Sequence, residues 1–362
     1  MLDLFIFAGE LSADLHGARL LKELYAKNPE LKIAGVLGPE MRKFPATCLL
    51  PMEKFAVMGF VDVLKQLPRL WRQFRFVRDT ILKVSPSAVV TIDYADFSLK
   101  LAKSLRKKGY RGKICHYISP SVWAWRKGRI HTMAQNLDLL LTILPFEKQY
   151  FSSTSLRVEY VGHPLISQIQ PRTSFTPNLI ALFPGSRAHE VKRNLPLQLA
   201  AFQKLQQEIP ELKCTISVAH ENLRPLIDSL APVASTSSNR MELMQKPQVA
   251  IAKSGTVTLE LALYNVPTVV TYAVSSFDAF LVKYILRILM PQYCLVNIIG
   301  NKTIYPEFFG PHLSADAIAQ EVKKMIADPA PCLAGCAAVR KILGSQDASQ
   351  RSAELILSLI FK

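Results

Sequence analysis

Short unbroken apolar runs alternate along this chain with longer segments whose apolar residues recur every three or four positions. Leu2–Phe7, Lys32–Val36, Ala88–Ile92, Lys113–Tyr117 and Leu139–Ile143 read as strands of a parallel sheet, and the segments between them as helices that cover it. The first helix runs to about Asn28, and a later one covers Phe97–Lys108 with Asp96 as its N-cap. Residues 165–178, with Pro171, Pro177 and several Ser and Thr, have the composition of a linker. The alternation then restarts, with strands at Leu179–Phe183, Cys214–Val218 and from Val249, and a helix from near Pro196 to Glu208. Two such series predict an α/β chain of two Rossmann-like domains, residues 1–163 and 164–344, facing a central cleft.

The run from Val249 stops at Ser254-Gly255-Thr256 and leads into a helix. Unpaired backbone N–H groups and the positive end of the helix macrodipole there point at an anion, so the stretch reads as a phosphate cradle. Glu260 lies one turn further in, within reach of a ribose. Ser-Gly-Thr before a helix is equally an ordinary cap. After Phe183, Gly185-Ser186-Arg187 faces the cleft from the first strand of the second domain, where Arg187 could neutralise a diphosphate. Ligands of parallel sheets collect beyond the carboxyl ends of the strands, which makes Asp93, after Ile92, the freer acid of the first domain. Glu10 follows the first strand as a ligand residue or a first-turn carboxylate, in a turn without G-x-G-x-x-G. His163, before Pro164, suits either acid–base chemistry or a hinge. The loop Ile118–Arg126 carries two tryptophans, and its Ser121 and Trp123 are candidate substrate contacts.

Charge narrows the partners. The chain carries +16, of which residues 1–163 hold +11, so the first half is expected to meet something anionic: nucleic acid, lipid headgroups or a phosphorylated substrate. Phe55–Val84 sets apolar residues, Leu67, Trp71 and Phe74 among them, at helical spacing beside a largely basic face, and Phe60 adds to its aromatic content. Pro68 is expected to open a helix there. The segment is either a helix packed on a sheet or an interfacial helix that sinks aromatics into a bilayer, and the crowding of Phe55, Phe60, Trp71, Phe74 and Phe76 favours the membrane. No apolar window is long enough to span one. The start lacks a basic n-region and reads as a core strand, so a cytoplasmic chain is expected. Six scattered cysteines offer no complete zinc set, so reduced structural thiols and no metal are expected.

Several motifs together resemble the lipid-A-disaccharide synthase family: Ala8-Gly-Glu-Leu-Ser-Ala-Asp-Leu-His-Gly-Ala18, Met52–Gly59, Ile92-Asp-Tyr-Ala-Asp-Phe97, His116–Arg126, Leu144-Pro-Phe-Glu147, Pro184-Gly-Ser-Arg187 and Ser254–Glu260. The resemblance covers nearly the whole chain. Ala13 stands where that family has glycine, and Val296 where a proline precedes Asn297, departures that touch loop geometry more than chemistry. The resemblance implies a GT-B glycosyltransferase, peripheral on the inner membrane, that joins UDP-2,3-diacylglucosamine to 2,3-diacylglucosamine 1-phosphate without cofactor or nucleic acid. It implies Asp93 as general base, with Glu10 and Asn297 positioning substrate, and acyl contact at Phe60, Leu67, Trp71 and Phe74 on an anionic membrane surface. It also implies that helix 345–362 returns to the first domain; the same tail could be exchanged between two chains in a homodimer. Two rivals stand beside it: another GT-B UDP-sugar enzyme, of muramyl-transferase or epimerase type, which has no need of the tryptophan loop, and a non-catalytic RNA-binding protein, which would need aromatics on a base-stacking platform.

Overall fold

The computed structural model describes residues 2–55, 60–273, 292–310 and 313–361, with residues 60–67 as backbone only. The chain divides into two compact units, residues 1–164 with 345–362, and residues 165–344.

The first unit is built on a parallel sheet of β1 (Leu4–Ala8), β2 (Ile33–Leu37), β3 (Thr47–Pro51), β4 (Ala88–Ile92), β5 (Lys113–Tyr117), β6 (Leu139–Thr142) and β7 (Arg157–Tyr160), in the order β3-β2-β1-β4-β5-β6-β7. Strands β1, β2 and β4 are buried at every position because helices cover both faces, which is why they read as continuous apolar runs. Among the covering helices are α1 (Leu11–Lys27), α2 (Phe60–Val84), α3 (Ala95–Lys107) and α4 (Arg129–Asn136). The C-terminal helix Ala348–Ile360 packs on α1, burying Leu355 and Ile356 in the cluster that holds Leu20, Leu21 and Leu24. Its start is fixed by Asp347, whose side chain accepts from the N–H groups of Ser349 and Gln350 at 2.9 Å each.

The second unit repeats the plan with β8 (Thr176–Phe183), β9 (Lys213–Ser217), β10 (Ser235–Ser237), β11 (Pro247–Lys253), β12 (Thr268–Tyr272) and β13 (Glu307–Phe309), in the order β10-β9-β8-β11-β12-β13, all parallel. Its helices include α5 (Ala188–Glu208), α6 (Arg224–Leu230), α7 (Arg240–Gln245) and α8 (Thr256–Leu263). In each sheet the strand order reverses once, between β1 and β4 and between β8 and β11. A crevice opens beyond the strand ends at such a point, because the flanking connections leave in opposite directions.

Four expectations from the sequence are corrected. Pro68 lies inside α2 and does not open it. Pro196 likewise lies inside α5, which begins at Ala188, where the turn before it supplies the start; an interior proline removes one backbone hydrogen bond without ending a long helix. Asp96 is not an N-cap: α3 begins two residues earlier than expected, with Tyr94 at the cap position, and Asp96 pairs with arginines instead. Phe55 is fully buried, edge-on to the rings of Phe7 and Phe97, so it belongs to the core and not to a membrane face.

Candidate active site

The reversal point of the first sheet carries two acids. Ala8 and Ile92 are paired neighbours, so Glu10 and Asp93, just beyond them, emerge side by side. Asp93 and Tyr94 both adopt left-handed backbone, at φ +49° and +51°, a conformation that non-glycine residues rarely hold and that recurs at functional turns. The turn is pinned by Asp93 N–H donating to the Tyr117 carbonyl at 2.9 Å, by Ser98 Oγ donating to the Asp93 carbonyl at 2.9 Å, and by Tyr94 N–H donating to Asp93 Oδ1 at 2.8 Å. A Cβ at Gly9 would lie 2.8 Å from the Tyr94 ring, so glycine is what lets that ring close over the β1 turn. Burial, and then the charge and hydrogen bond of Glu10, raise the Asp93 carboxyl to about 6. Glu10 also accepts from Ser12 Oγ at 2.8 Å. Asp14, in the same motif, is structural: it is buried and accepts from the N–H groups of Glu40 and Met41.

The tryptophan loop follows β5, next in the sheet. Ser121 is exposed, and its carbonyl accepts from Ala124 and Trp125. Trp123 stands edge-on to Phe146, with ring centroids 5.4 Å apart. Beside it Glu147 is 2% exposed and accepts from Leu144 N–H; burial raises its carboxyl to about 8, against the pull of the Leu144 and Ile143 N–H groups and of Trp123. His163 is buried, and burial together with His16 lowers its pKa to about 4, leaving a neutral imidazole near neutral pH.

A groove of about 670 Å³ runs between α2 and α3. Leu70, Trp71, Phe74 and Phe97 form its apolar wall, and Lys100, Lys103 and Lys107 stand exposed along the α3 side. Trp71 is 57% exposed and meets Phe74 edge-on. The side chains of Phe60 and Leu67, also expected to contact acyl chains, lie outside the described residues.

The reversal point of the second sheet brings the other two predicted motifs onto neighbouring strands. Gly185 has φ +129°, and a Cβ there would lie 2.6 Å from Glu190 Cβ, so the turn is restricted to glycine on both counts. Glu190, from the first turn of α5, accepts from Ser186 N–H at 2.9 Å and from Lys253 Nζ at 3.0 Å, which ties the ends of β8 and β11 together. Burial would raise Glu190, but Ser186 N–H, Lys253 and Arg187 hold it below its ordinary value. Arg187 is at the N-cap of α5 with a side chain 71% exposed.

Gly255 caps α8 in extended backbone, and a Cβ there would approach nothing closer than the Lys253 carbonyl at 4.0 Å. Among the described residues, neither conformation nor packing therefore demands glycine there; an approaching ligand would. Thr256 opens α8, and Ser254 Oγ donates to the Tyr293 carbonyl at 3.4 Å. Glu260 accepts from Arg240 at 2.8 Å, and burial raises its carboxyl against that arginine.

Asn297 differs in kind. Its amide donates to the Tyr305 carbonyl and Glu307 and accepts from Ile304 and Tyr305 N–H, at 2.6 to 2.9 Å, while Glu307 in turn accepts from Tyr293 and Cys294 N–H. With its donors and acceptor spoken for, Asn297 is a positioning residue that shapes the chain around Tyr293. Val296 is fully buried beside it. The sequence reading missed Glu190, Lys253, Arg240 and Glu307. Only Lys253 left a signal, as a lone charge ending an apolar strand.

The family model for lipid-A-disaccharide synthetase matches residues 4–361. The lipid-A-disaccharide synthase of Chlamydia trachomatis serovar D is 43% identical over 330 residues, 84% of this chain and 53% of that protein, so the chain spans about half the length of this chlamydial relative. The lipid-A-disaccharide synthase of Geobacter sulfurreducens is 33% identical over 378 residues, 99% of this chain and 97% of that protein. Among solved structures, UDP-GlcNAc 2-epimerase from Neisseria meningitidis bound to UDP-GlcNAc aligns with TM-score 0.63 at 13% identity over 99% of this chain and all of that one. The calicheamicin glycosyltransferase CalG4 aligns with TM-score 0.61 at 13% identity, covering this whole chain and 99% of its own. These likenesses establish the fold as GT-B.

Proposed function

The chain belongs to the lipid-A-disaccharide synthase family, and on that footing we propose that it is an inverting glycosyltransferase that condenses UDP-2,3-diacylglucosamine with 2,3-diacylglucosamine 1-phosphate into the β-1′,6-linked disaccharide 1-phosphate and UDP. The observation that carries the reading is the Asp93–Glu10 pair at the reversal point of the first sheet.

The chemistry follows from these side chains. The acceptor 6-hydroxyl attacks the donor's anomeric carbon while the bond from that carbon to the diphosphate breaks, its electron pair leaving with UDP. A single displacement inverts the anomeric centre. Asp93 takes the hydroxyl proton as the new bond forms, and a carboxyl poised near 6 is ionised at neutral pH yet more basic than an exposed aspartate. Glu10 keeps Asp93 basic and orients it. On the donor side, the N–H groups opening α8, the hydroxyls of Ser254 and Thr256, the Gly185–Ser186 turn and Arg187 oppose the charge that builds on the diphosphate, and Glu260 binds the ribose. Ser121 and Trp123 contact the sugars. The α2–α3 groove takes an acyl chain, with the exposed Trp71 and Phe76 at an anionic membrane surface and the lysines against its headgroups. No helix among the described residues is long and apolar enough to cross a membrane, which suits a peripheral attachment.

Replacing Asp93 by Asn keeps the shape and removes the base. Turnover is expected to fall about 10²- to 10⁴-fold with donor affinity unchanged; near-normal turnover would remove the assignment.

A further inference from the structure

On the reading above, which this inference rests on, the acceptor presents a phosphomonoester, and the cluster at the α3 end of the acyl groove has the chemistry to receive it. We propose that Arg126 and Arg129, stacked on Trp125, form the binding site for the acceptor's phosphomonoester, with Asp96 occupying the phosphate position in its absence. Arg126 Nη1 lies 3.0 Å from Asp96 Oδ1, and Arg129 Nη2 donates to the same oxygen. Their guanidinium carbons sit 4.2 and 5.6 Å from the Trp125 ring centroid, so one indole orders both forks.

Three features separate this cluster from an ordinary surface ion pair. One carboxylate faces two guanidiniums, which leaves one positive charge uncompensated among the described residues, and the exposed Lys100 on the next turn of α3 adds a second. The Arg129 side chain is held in place at 15% exposure, and that of Arg126, 49% exposed, is ordered by its stacking on Trp125. Asp96, by contrast, is 70% exposed and lines the groove itself. An exposed carboxylate is held weakly, whereas a phosphomonoester brings about −1.5 to −2 charges and three acceptor oxygens to the same two forks. A lipid tail in the groove and its phosphate on these arginines would present the sugar between them, with Asp93 in the turn that leads into α3. The phosphodiester of a bulk phospholipid, with a single charge, suits a paired-arginine site less well.

The test is direct binding by the whole protein, measured calorimetrically in neutral detergent micelles, of diacylglucosamine 1-phosphate, of the same lipid without its phosphate, and of phosphatidylglycerol. The wild-type chain is expected to prefer the phosphorylated sugar lipid about tenfold or more, in keeping with two charge-assisted bidentate contacts. Arg126→Gln with Arg129→Gln should abolish that preference while leaving affinity for the dephosphorylated lipid and for UDP unchanged. Asp96→Asn, which removes the competitor, should tighten phosphate binding severalfold, a gain that a merely structural role for Asp96 would not produce. A preference that survives the double substitution, a loss on Asp96→Asn, or an equal loss for phosphatidylglycerol would overturn the proposal. Selective binding without sugar transfer would uphold this site and remove the glycosyltransferase reading. Transfer by the double variant with unaltered acceptor KM would do the reverse.

Discussion

In the proposed mechanism Asp93 is the residue on which the chemistry turns, and its environment makes a pH prediction. Burial first, and Glu10 second, move its pKa from 3.8 to about 6, so the base gains its proton, and kcat/KM should fall, as pH drops through about 6. Glu10→Gln removes one negative neighbour and should shift that acidic limb downward without restoring it to an exposed aspartate, because burial remains. An unmoved limb would mean that another group titrates. The same shift costs stability: the folded state holds this proton more tightly than the unfolded chain, so the contribution is neutral below about 4 and becomes progressively unfavourable up to about 6. Asp93, Glu10 and Arg187 were legible as residues because each lies in the turn that follows a recognisable strand. Glu190 and Arg240, the partners of Arg187 and Glu260, were not, since both lie on helices whose facing depends on packing that the local pattern does not encode.

At the scale of elements, α2 is packed against the core as a covering helix and also carries exposed aromatics, on which the proposed membrane contact rests. Val77 and Ile81 are buried in the core while Trp71 and Phe76 are exposed on the same helix, so one face packs inward and another offers aromatics outward. Trp71→Ser with Phe76→Ser should weaken binding to anionic vesicles about tenfold or more, as loss of two buried aromatics at a membrane surface would, leaving UDP binding intact. Sedimentation with vesicles reads this, and undiminished binding would place the membrane face elsewhere. The edge strand β3 escaped the sequence because three of its residues are exposed and no apolar run marks it. The starts of α3 and α5 were misplaced because Asp96 and Pro196 carry strong local preferences that the neighbouring turns override.

For the whole molecule, the recurrence of strand and helix foretold two parallel sheets, and both acid-bearing and glycine-bearing turns fall at points where strand order reverses. What the pattern could not supply is strand order itself, which depends on long-range pairing. Helix Ala348–Ile360 belongs to the first unit. Ile356, fully buried against α1, should cost about 2 to 5 kcal/mol when replaced by Ala, read as a lower denaturation midpoint. A small loss would mean that the helix contributes little to that core.

The most direct test of the proposed function is to incubate the purified protein with UDP-2,3-diacylglucosamine and 2,3-diacylglucosamine 1-phosphate in detergent micelles, following UDP release and product mass together. Disaccharide 1-phosphate formed in step with UDP, and lost in Asp93→Asn, is the predicted result. UDP-sugar binding with no disaccharide from the wild-type chain would contradict it, leaving the GT-B fold and the phosphate cradle in service of a different acceptor.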